Sequence, residues 1–253
     1  MRVTRQQMER MIRYEDADVV VVHKPPFLAV ETRDSRQQDL VSMLINRRAS
    51  KGEAAYMGVI NRLDQPVEGL LVLAKTRDAA AGLSAGLCAG DFIKEYLAVV
   101  RGIVQESGAL VHTLKKDGRT NTSVVVPAGT AGGKEARLTF ERLALKSDNS
   151  LLRIRLDTGR HHQIRVQFAA VGHPLLGDVK YGAQMDADCR IGTHRGADQE
   201  QVDRGLQMRG QRAQPLALCS RRLVFAHPRT KEIMEFCTEP VGSGFDEFRG
   251  AFG

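Results

Sequence analysis

The spacing of short apolar runs constrains the fold of this chain most. Residues 19–22, 58–60, 70–74, 95–102, 109–114, 123–126, 135–140, 151–156, 216–225 and 233–237 are rich in β-branched, aromatic and aliphatic side chains. Nearly all are too short for a typical helix, and polar residues bound them, so they read as strands. In residues 95–102 the alternation is explicit: Tyr96, Ala98 and Val100 occupy one face, Leu97 and Val99 the other. Gly, Asp and Asn clusters separate the strands of the middle third, as antiparallel connections require. Helical spacing is confined to three places. Leu40, Met43, Leu44 and Arg47 share a face within 36–48. Leu83 and Leu87 form a stripe behind a capping Thr76 with Asp78 in the first turn. Ile164, Phe168 and Val171 recur within 161–171. Without regular strand–helix alternation, the expected class is α+β, a mixed, mostly antiparallel sheet with few flanking helices.

The chain has 253 residues, 42% apolar and 26% charged, which suits one large or two small domains and excludes a disordered or fibrous protein. The formal charge is +7, carried by 27 Arg and only 10 Lys. Arginine forks suit phosphate, so a polyanionic partner fits, as does general arginine enrichment in the source proteome. Nine Phe, four Tyr and no Trp leave few rings for an exposed stacking platform. Nucleic acid would therefore be held mainly by Arg and backbone groups. Cys88, Cys189, Cys219 and Cys237 form no Cys-x-x-Cys pair, which predicts buried thiols in a reducing cytosol rather than a zinc site or disulfide framework. The first residues lack the apolar core of a signal peptide, and no run of roughly 18 apolar residues occurs. A soluble, cytoplasmic protein with no membrane partner is expected. Residues 183–214, dominated by Gly, Asp, Arg and Gln, are expected to form a polar insert or mobile loop.

Two polar constellations stand out. Asn61-Arg62-Leu63-Asp64 places an arginine and a carboxylate at i and i+2 between apolar strands. In an extended segment both address one ligand, although a surface ion pair satisfies the same spacing. Thr158-Gly159-Arg160-His161-His162-Gln163-Ile164-Arg165 lies at a strand-to-helix junction. Free N–H groups and four basic-capable side chains there suit either an anion site or a capped, solvated helix start. Metal is not expected: adjacent helical histidines diverge by about 100°, and no third ligand accompanies them. His173, in the Gly-Pro turn after this helix, reads as a structural histidine. The glycine-rich segment 129–133 lacks the Lys-Ser/Thr of a phosphate-binding loop and reads as a flexible hairpin. No serine or cysteine sits in a nucleophile elbow.

In this order the pieces resemble the RluA-type pseudouridine synthase family. The carriers are the opening segment through His23-Lys24-Pro25, Asn61-Arg62-Leu63-Asp64 with the strand after Gly69, and the Tyr96 strand. They continue with Gly159-Arg160 through Arg165 and with Gly172-His173-Pro174-Leu175-Leu176-Gly177-Asp178. The resemblance runs from about residue 12 to 182, with a weaker tail near 216–236. It implies a pseudouridine synthase catalytic domain over 1–253, acting on uridine in structured ribosomal or transfer RNA without cofactor or metal. The N1–C1′ bond breaks, the uracil turns, and C5 joins C1′. By the same resemblance Asp64 is the essential carboxylate, acting as nucleophile at C1′ or as base at C2′. Either role needs an ionised Asp, the ordinary state at neutral pH. Arg165 matches the arginine that pairs with it. Tyr96 matches the tyrosine that packs on the uracil; a phenol of pKa ~10 is a poor base, so contact ranks before proton transfer. Arg62 matches the arginine that fills the stack vacated by the flipped base. Arg160, His161 and His162 complete the substrate-binding set.

Three features depart from the family pattern. Asn61 stands where a histidine is usual, and an amide cannot titrate. His161-His162 replaces Thr-His, adding a group able to carry positive charge. The catalytic region begins by Tyr14, leaving no room for an N-terminal S4 RNA-binding domain, so the catalytic domain itself is expected to hold the RNA, as a monomer. Two rival functions share these residues: an inactive RNA-binding or RNA-chaperone protein on the same scaffold, and an N-glycosidase that releases the base.

Overall fold

The computed structural model describes residues 3–182 and 215–252; the polar stretch 183–214, with Cys189, lies outside the described residues. The chain begins with α1 (Arg5–Met11), β1 (Ile12–Glu15), β2 (Val19–Lys24), α2 (Leu40–Ala49), β3 (Gly58–Val59), β4 (Glu68–Ala74) and α3 (Arg77–Ala89). It continues with β5 (Ile93–Arg101), β6 (Ser107–Asp117), β7 (Thr122–Val126), β8 (Lys134–Lys146), β9 (Asn149–Leu156) and α4 (Gln163–Ala170). Strands β10 (Leu218–Ala226) and β11 (Ile233–Cys237) and a 3-10 helix over Ser243–Phe248 follow. The strands form one sheet in the order β1-β2-β4-β10-β5-β9-β8-β6-β7, with β3 beside β4 and β11 beside β10. One pairing, β4 with β10, is parallel, and the others are antiparallel. The class is therefore α+β with a mixed, mostly antiparallel sheet.

Every residue of β2 and β4 is buried, because both sheet faces are covered. On one face Val20, Val22, Leu71, Leu73, Ala98, Val100 and Ile154 meet Leu40 and Leu44 of α2 and Ile164 and Phe168 of α4. On the other, Val19, Val21, Leu70, Val72 and Phe225 meet Leu83 of α3, while Leu97 and Val99 meet Phe245 and Phe248. Each fully buried Leu, Val or Phe contributes roughly 1.5–3 kcal/mol of transfer free energy. Local signals set the helix starts. Thr76 Oγ1 accepts from Ala79 N at 3.1 Å, and Asp39 Oδ1 accepts from Ser42 N at 2.8 Å.

The parallel junction depends on Gly69. It pairs with Ser220 of β10 at φ +119°, where a Cβ would overlap the Ser220 backbone. Of the three cysteines described only Cys219 is buried, Cys88 and Cys237 being exposed, and the helix expected over 36–48 begins at Leu40 behind its Asp39 cap. Tyr14 and Glu15 end β1, and Asp16 Oδ1 makes the turn into β2 by accepting from Asp18 N and Val19 N, both at 2.8 Å. Strand β8 runs on to Lys146 through a register shift between Arg142 and Ala144. The glycine-rich segment 129–133 closes no hairpin, since β6 lies between β7 and β8. Among the described residues no helix is long and apolar enough to cross a membrane.

Candidate active site

The loop carrying Asp64 is pinned from both sides. At its start Asn61 is buried, and its Oδ1 accepts from Val72 N of β4 at 3.1 Å, just past the last β3–β4 backbone pair. The amide acceptor thus extends the ladder by one bond, a task that needs no titratable group. At its end the fully buried Lys24 donates to Pro25 O at 3.0 Å, Leu28 O at 2.8 Å and Gln65 O at 3.1 Å. Burial pushes the Lys24 pKa down to about 7 against the opposing charges of Asp64 and Glu68. Three carbonyls matching three ammonium hydrogens hold its charge as well. Between the pins Arg62 is exposed, Leu63 is buried and the Asp64 side chain is 27% exposed. The i, i+2 spacing therefore turns Arg62 and Asp64 outward together.

Arg165, in the first turn of α4, reaches this loop from the other half of the sheet. Its Nη1 donates to Asp64 Oδ2 at 3.1 Å, while Nε and Nη2 donate to Asp178 Oδ2 and Oδ1, each at 2.8 Å. The guanidinium also lies 5.2 Å from the Tyr181 ring centroid. Asp178 fixes the fork and leaves one nitrogen for Asp64. Tyr96 sits mid-β5, buried, with Ser220 and Ile154 as cross-strand partners. Burial, then the charge of Asp64, raises its pKa, against a hydrogen bond with Ser220. It remains a neutral phenol, suited to contact rather than to proton abstraction.

His162 caps α4 in the left-handed region at φ +53° without a side-chain cap bond. Its Nε2 is 3.4 Å from Asp64 Oδ2, and its Nδ1 is 2.8 Å from Tyr181 Oη. The His161 ring stacks on it, centroids 3.8 Å apart at 24°, with Nδ1 3.0 Å from Ser123 Oγ. Arg160 is turned towards β8, where its Nε donates to Glu135 O at 2.8 Å, and its N–H donates to Gln163 Oε1 at 2.9 Å. Asp64, Arg165 and His162 are thus brought together, Tyr96 lies within the field of Asp64, Arg62 shares its face, and Arg160 braces the loop. Positive charge at the paired histidines, which their sequence left open, is disfavoured. Burial, then Arg165, pushes His162 down to about 4 against Asp64, and burial also lowers His161.

Sequence reasoning passed over Lys24, Ser123, Asp178 and Tyr181 as site residues. One signal existed for Asp178: a buried guanidinium has five donors, more than a single carboxylate satisfies.

The neutral histidines predict an acid-sensitive fold. His23, whose Nδ1 faces Arg13 Nη2 at 3.2 Å, is also pushed to about 4, by burial and then by Arg13 and Lys24. Between pH 6.5 and about 4 the unfolded chain binds a proton at each histidine that the folded chain refuses, so stability falls as pH falls. From pH 7.5 to 5 the loss should be roughly 2 kcal/mol for each of His23 and His162. It should be partly offset by Glu68, whose pKa burial raises. Urea unfolding at the two pH values measures it, and His162→Asn should flatten the slope. An unchanged slope in that variant would contradict the buried neutral histidine.

Comparisons with known proteins point one way. Residues 18–170 match the family described as RNA pseudouridylate synthase. The chain is 32% identical over 232 residues to the ribosomal large subunit pseudouridine synthase D of Vibrio cholerae, covering 91% of this chain and 67% of that protein. It is 32% identical over 241 residues to the protein of the same name from Haemophilus influenzae, covering 95% and 70%. The chain thus spans about two thirds of the length of such relatives. Its fold resembles that of human RNA Pseudouridylate Synthase Domain Containing 4, with a TM-score of 0.69 at 19% identity over 92% of this chain and 90% of that one.

Proposed function

The chain belongs to the RNA pseudouridylate synthase family, and we propose that it isomerises specific uridines in structured RNA to pseudouridine, with Asp64 as the reacting carboxylate. The observation that carries this is the Asp64–Arg165 contact of 3.1 Å beside a partly open loop face. It is a carboxylate held in place yet still reachable. The reaction is an isomerisation: N1–C1′ breaks, C5–C1′ forms, and the hydrogen leaving C5 is replaced by one gained at N1. No electrons are exchanged with a second molecule, so the balance calls for no oxidant or reductant. Asp64 attacks C1′ or takes the C2′ proton; the pairing with Arg165 serves both routes by holding the anion.

A base within folded RNA must first leave its stack, at a cost of a few kcal/mol. Arg62, exposed on the same face as Asp64, is suited to stack in the vacated space. Tyr96 supplies a buried aromatic contact within the field of Asp64, for the uracil ring. Among the basic-capable residues His161 is partly exposed, and Lys116 and Lys180 are near enough for their charges to lower its pKa. With the exposed Arg160, whose Nη groups are not used by the bond to Glu135 O, these are the groups suited to meet phosphate. His162 serves the substrate through Asp64. In this reading residues 1–253 act as one catalytic domain, as a monomer in the cytoplasm. The ribosomal names of the relatives favour ribosomal over transfer RNA.

The test is incubation of the purified chain with ribosomal and transfer RNA from cells lacking its gene, followed by nucleoside mass spectrometry and site mapping. Pseudouridine at discrete positions, with no free uracil, is expected. Free uracil would assign an N-glycosidase instead, and RNA retention without any modified nucleoside would assign an inactive binding protein. Either result overturns the proposal.

A further inference from the structure

The hydrogen bonds behind Asp64 have a direction. Ser123 N–H, which can only donate, reaches Tyr181 Oη at 2.8 Å. The same oxygen lies 2.8 Å from His162 Nδ1. Tyr181 is buried, and among the described residues its hydroxyl hydrogen has one acceptor within reach, that Nδ1. A hydrogen placed on Nδ1 instead would leave a buried phenol donor unpaired, at roughly 1–3 kcal/mol. Nδ1 is therefore the acceptor, and a neutral imidazole that accepts at Nδ1 carries its hydrogen on Nε2. Nε2 faces Asp64 Oδ2 at 3.4 Å, the oxygen that Arg165 Nη1 also holds at 3.1 Å. Among the described residues no donor reaches Oδ1. His161 has the opposite arrangement: Ser123 Oγ donates to His161 O at 2.8 Å, so at 3.0 Å it accepts from Nδ1–H.

We propose that His162 is a positioning residue, locked by Tyr181 in its Nε2–H form, and that with Arg165 it binds Oδ2 of Asp64 and so dedicates Oδ1 to the substrate. This rests on Asp64 being the reacting carboxylate. The present 3.4 Å separation closes to a hydrogen bond as substrate excludes water, as donor distances in unliganded sites commonly do. The opposite ring form would set two lone pairs against each other and free the carboxylate to rotate. The left-handed backbone at His162, a conformation Asn also tolerates, is what brings the ring over the loop.

The test uses the full chain with 15N-labelled histidine. His162 should show a pyridine-like Nδ1 and a pyrrole-like Nε2, and His161 the reverse. Tyr181→Phe should mix the two forms at His162 and lower kcat for pseudouridine formation about tenfold, with KM for RNA little changed. His162→Asn should lower kcat further, and adding Tyr181→Phe to it should change nothing more, because the hydroxyl acts through the ring. A pyrrole-like Nδ1 at His162 in the wild type, an unmoved spectrum in Tyr181→Phe, or additive losses in the double variant would each overturn the proposal. The spectra need no turnover, so a chain that makes no pseudouridine would refute the catalytic reading separately from the ring assignment.

Discussion

Asp64→Asn is expected to lower pseudouridine formation by a factor on the order of 10^4, with fold and RNA affinity nearly intact. An amide is neither a nucleophile for C1′ nor a base for a carbon-bound hydrogen, so both routes stop at this one atom change. The fold survives because Arg165 keeps its two bonds to Asp178 at 2.8 Å, and the substituted amide would still offer one carbonyl oxygen to Nη1. Nor does the loop depend on the carboxylate, since the Asn61–Val72 bond and the three carbonyl bonds of Lys24 hold it. Single-turnover rates at saturating RNA, alongside binding and thermal unfolding, separate the two effects. Turnover within tenfold of the wild type would remove Asp64 from the chemistry. A rate loss matched by unfolding would make its role structural.

Arg165→Met is expected to cost about 3–5 kcal/mol of folding stability in addition to activity. The Asp178 side chain has no solvent exposure, and without the fork it retains backbone donors from Lys180 N at 3.0 Å and Tyr181 N at 3.2 Å on one oxygen only. A buried carboxylate half satisfied in this way is the costly product of breaking such a pair, more than the loss of the attraction itself. Adding Asp178→Leu should therefore restore much of the stability while leaving turnover absent, because the Asp64 anion has still lost its partner. Arg165→Lys keeps the charge but not the three-pronged geometry, so it should fall between wild type and Met in both measures. Urea midpoints for the four proteins decide the point. Equal stability of Arg165→Met and wild type would mean that the Arg165–Asp178 pair does not hold the fold together.

Both predictions concern contacts of unequal legibility. The alternation that set Tyr96, Ala98 and Val100 on one face of β5 and Leu97 and Val99 on the other is preserved in the two packed faces. Thr76 caps α3 as its sequence context requires. Strand β11 has the bounds its apolar run implies. In contrast, α1 has seven residues, and Met8 and Met11 mark a core face only once β2 lies beneath them. The β4–β10 pairing joins Gly69 to Ser220 through two cross-strand residue pairs, and no local pattern announces a partner that far along the chain. At the site, Asp64, Arg62 and Arg165 were legible as motif residues, and Tyr96 from its strand. Lys24, Asp178 and Tyr181 were not, since a lysine before two prolines, an aspartate in a glycine turn and a lone tyrosine each have ordinary surface uses.

By itself the chain's order of residues determined the strand-rich class, the Thr76 cap of α3, the shared outward face of Arg62 and Asp64, and the family. Those features depend on φ/ψ preferences and side-chain periods that act over a few residues. The tertiary structure alone decided which oxygen of Asp64 is bound, that Arg165 divides its fork between two carboxylates, and that the paired histidines are neutral where the sequence left added charge open. Protonation and hydrogen-bond direction depend on burial and on charges brought from distant segments. The Asp64–Arg165 contact spans 101 positions, a separation no local rule reaches.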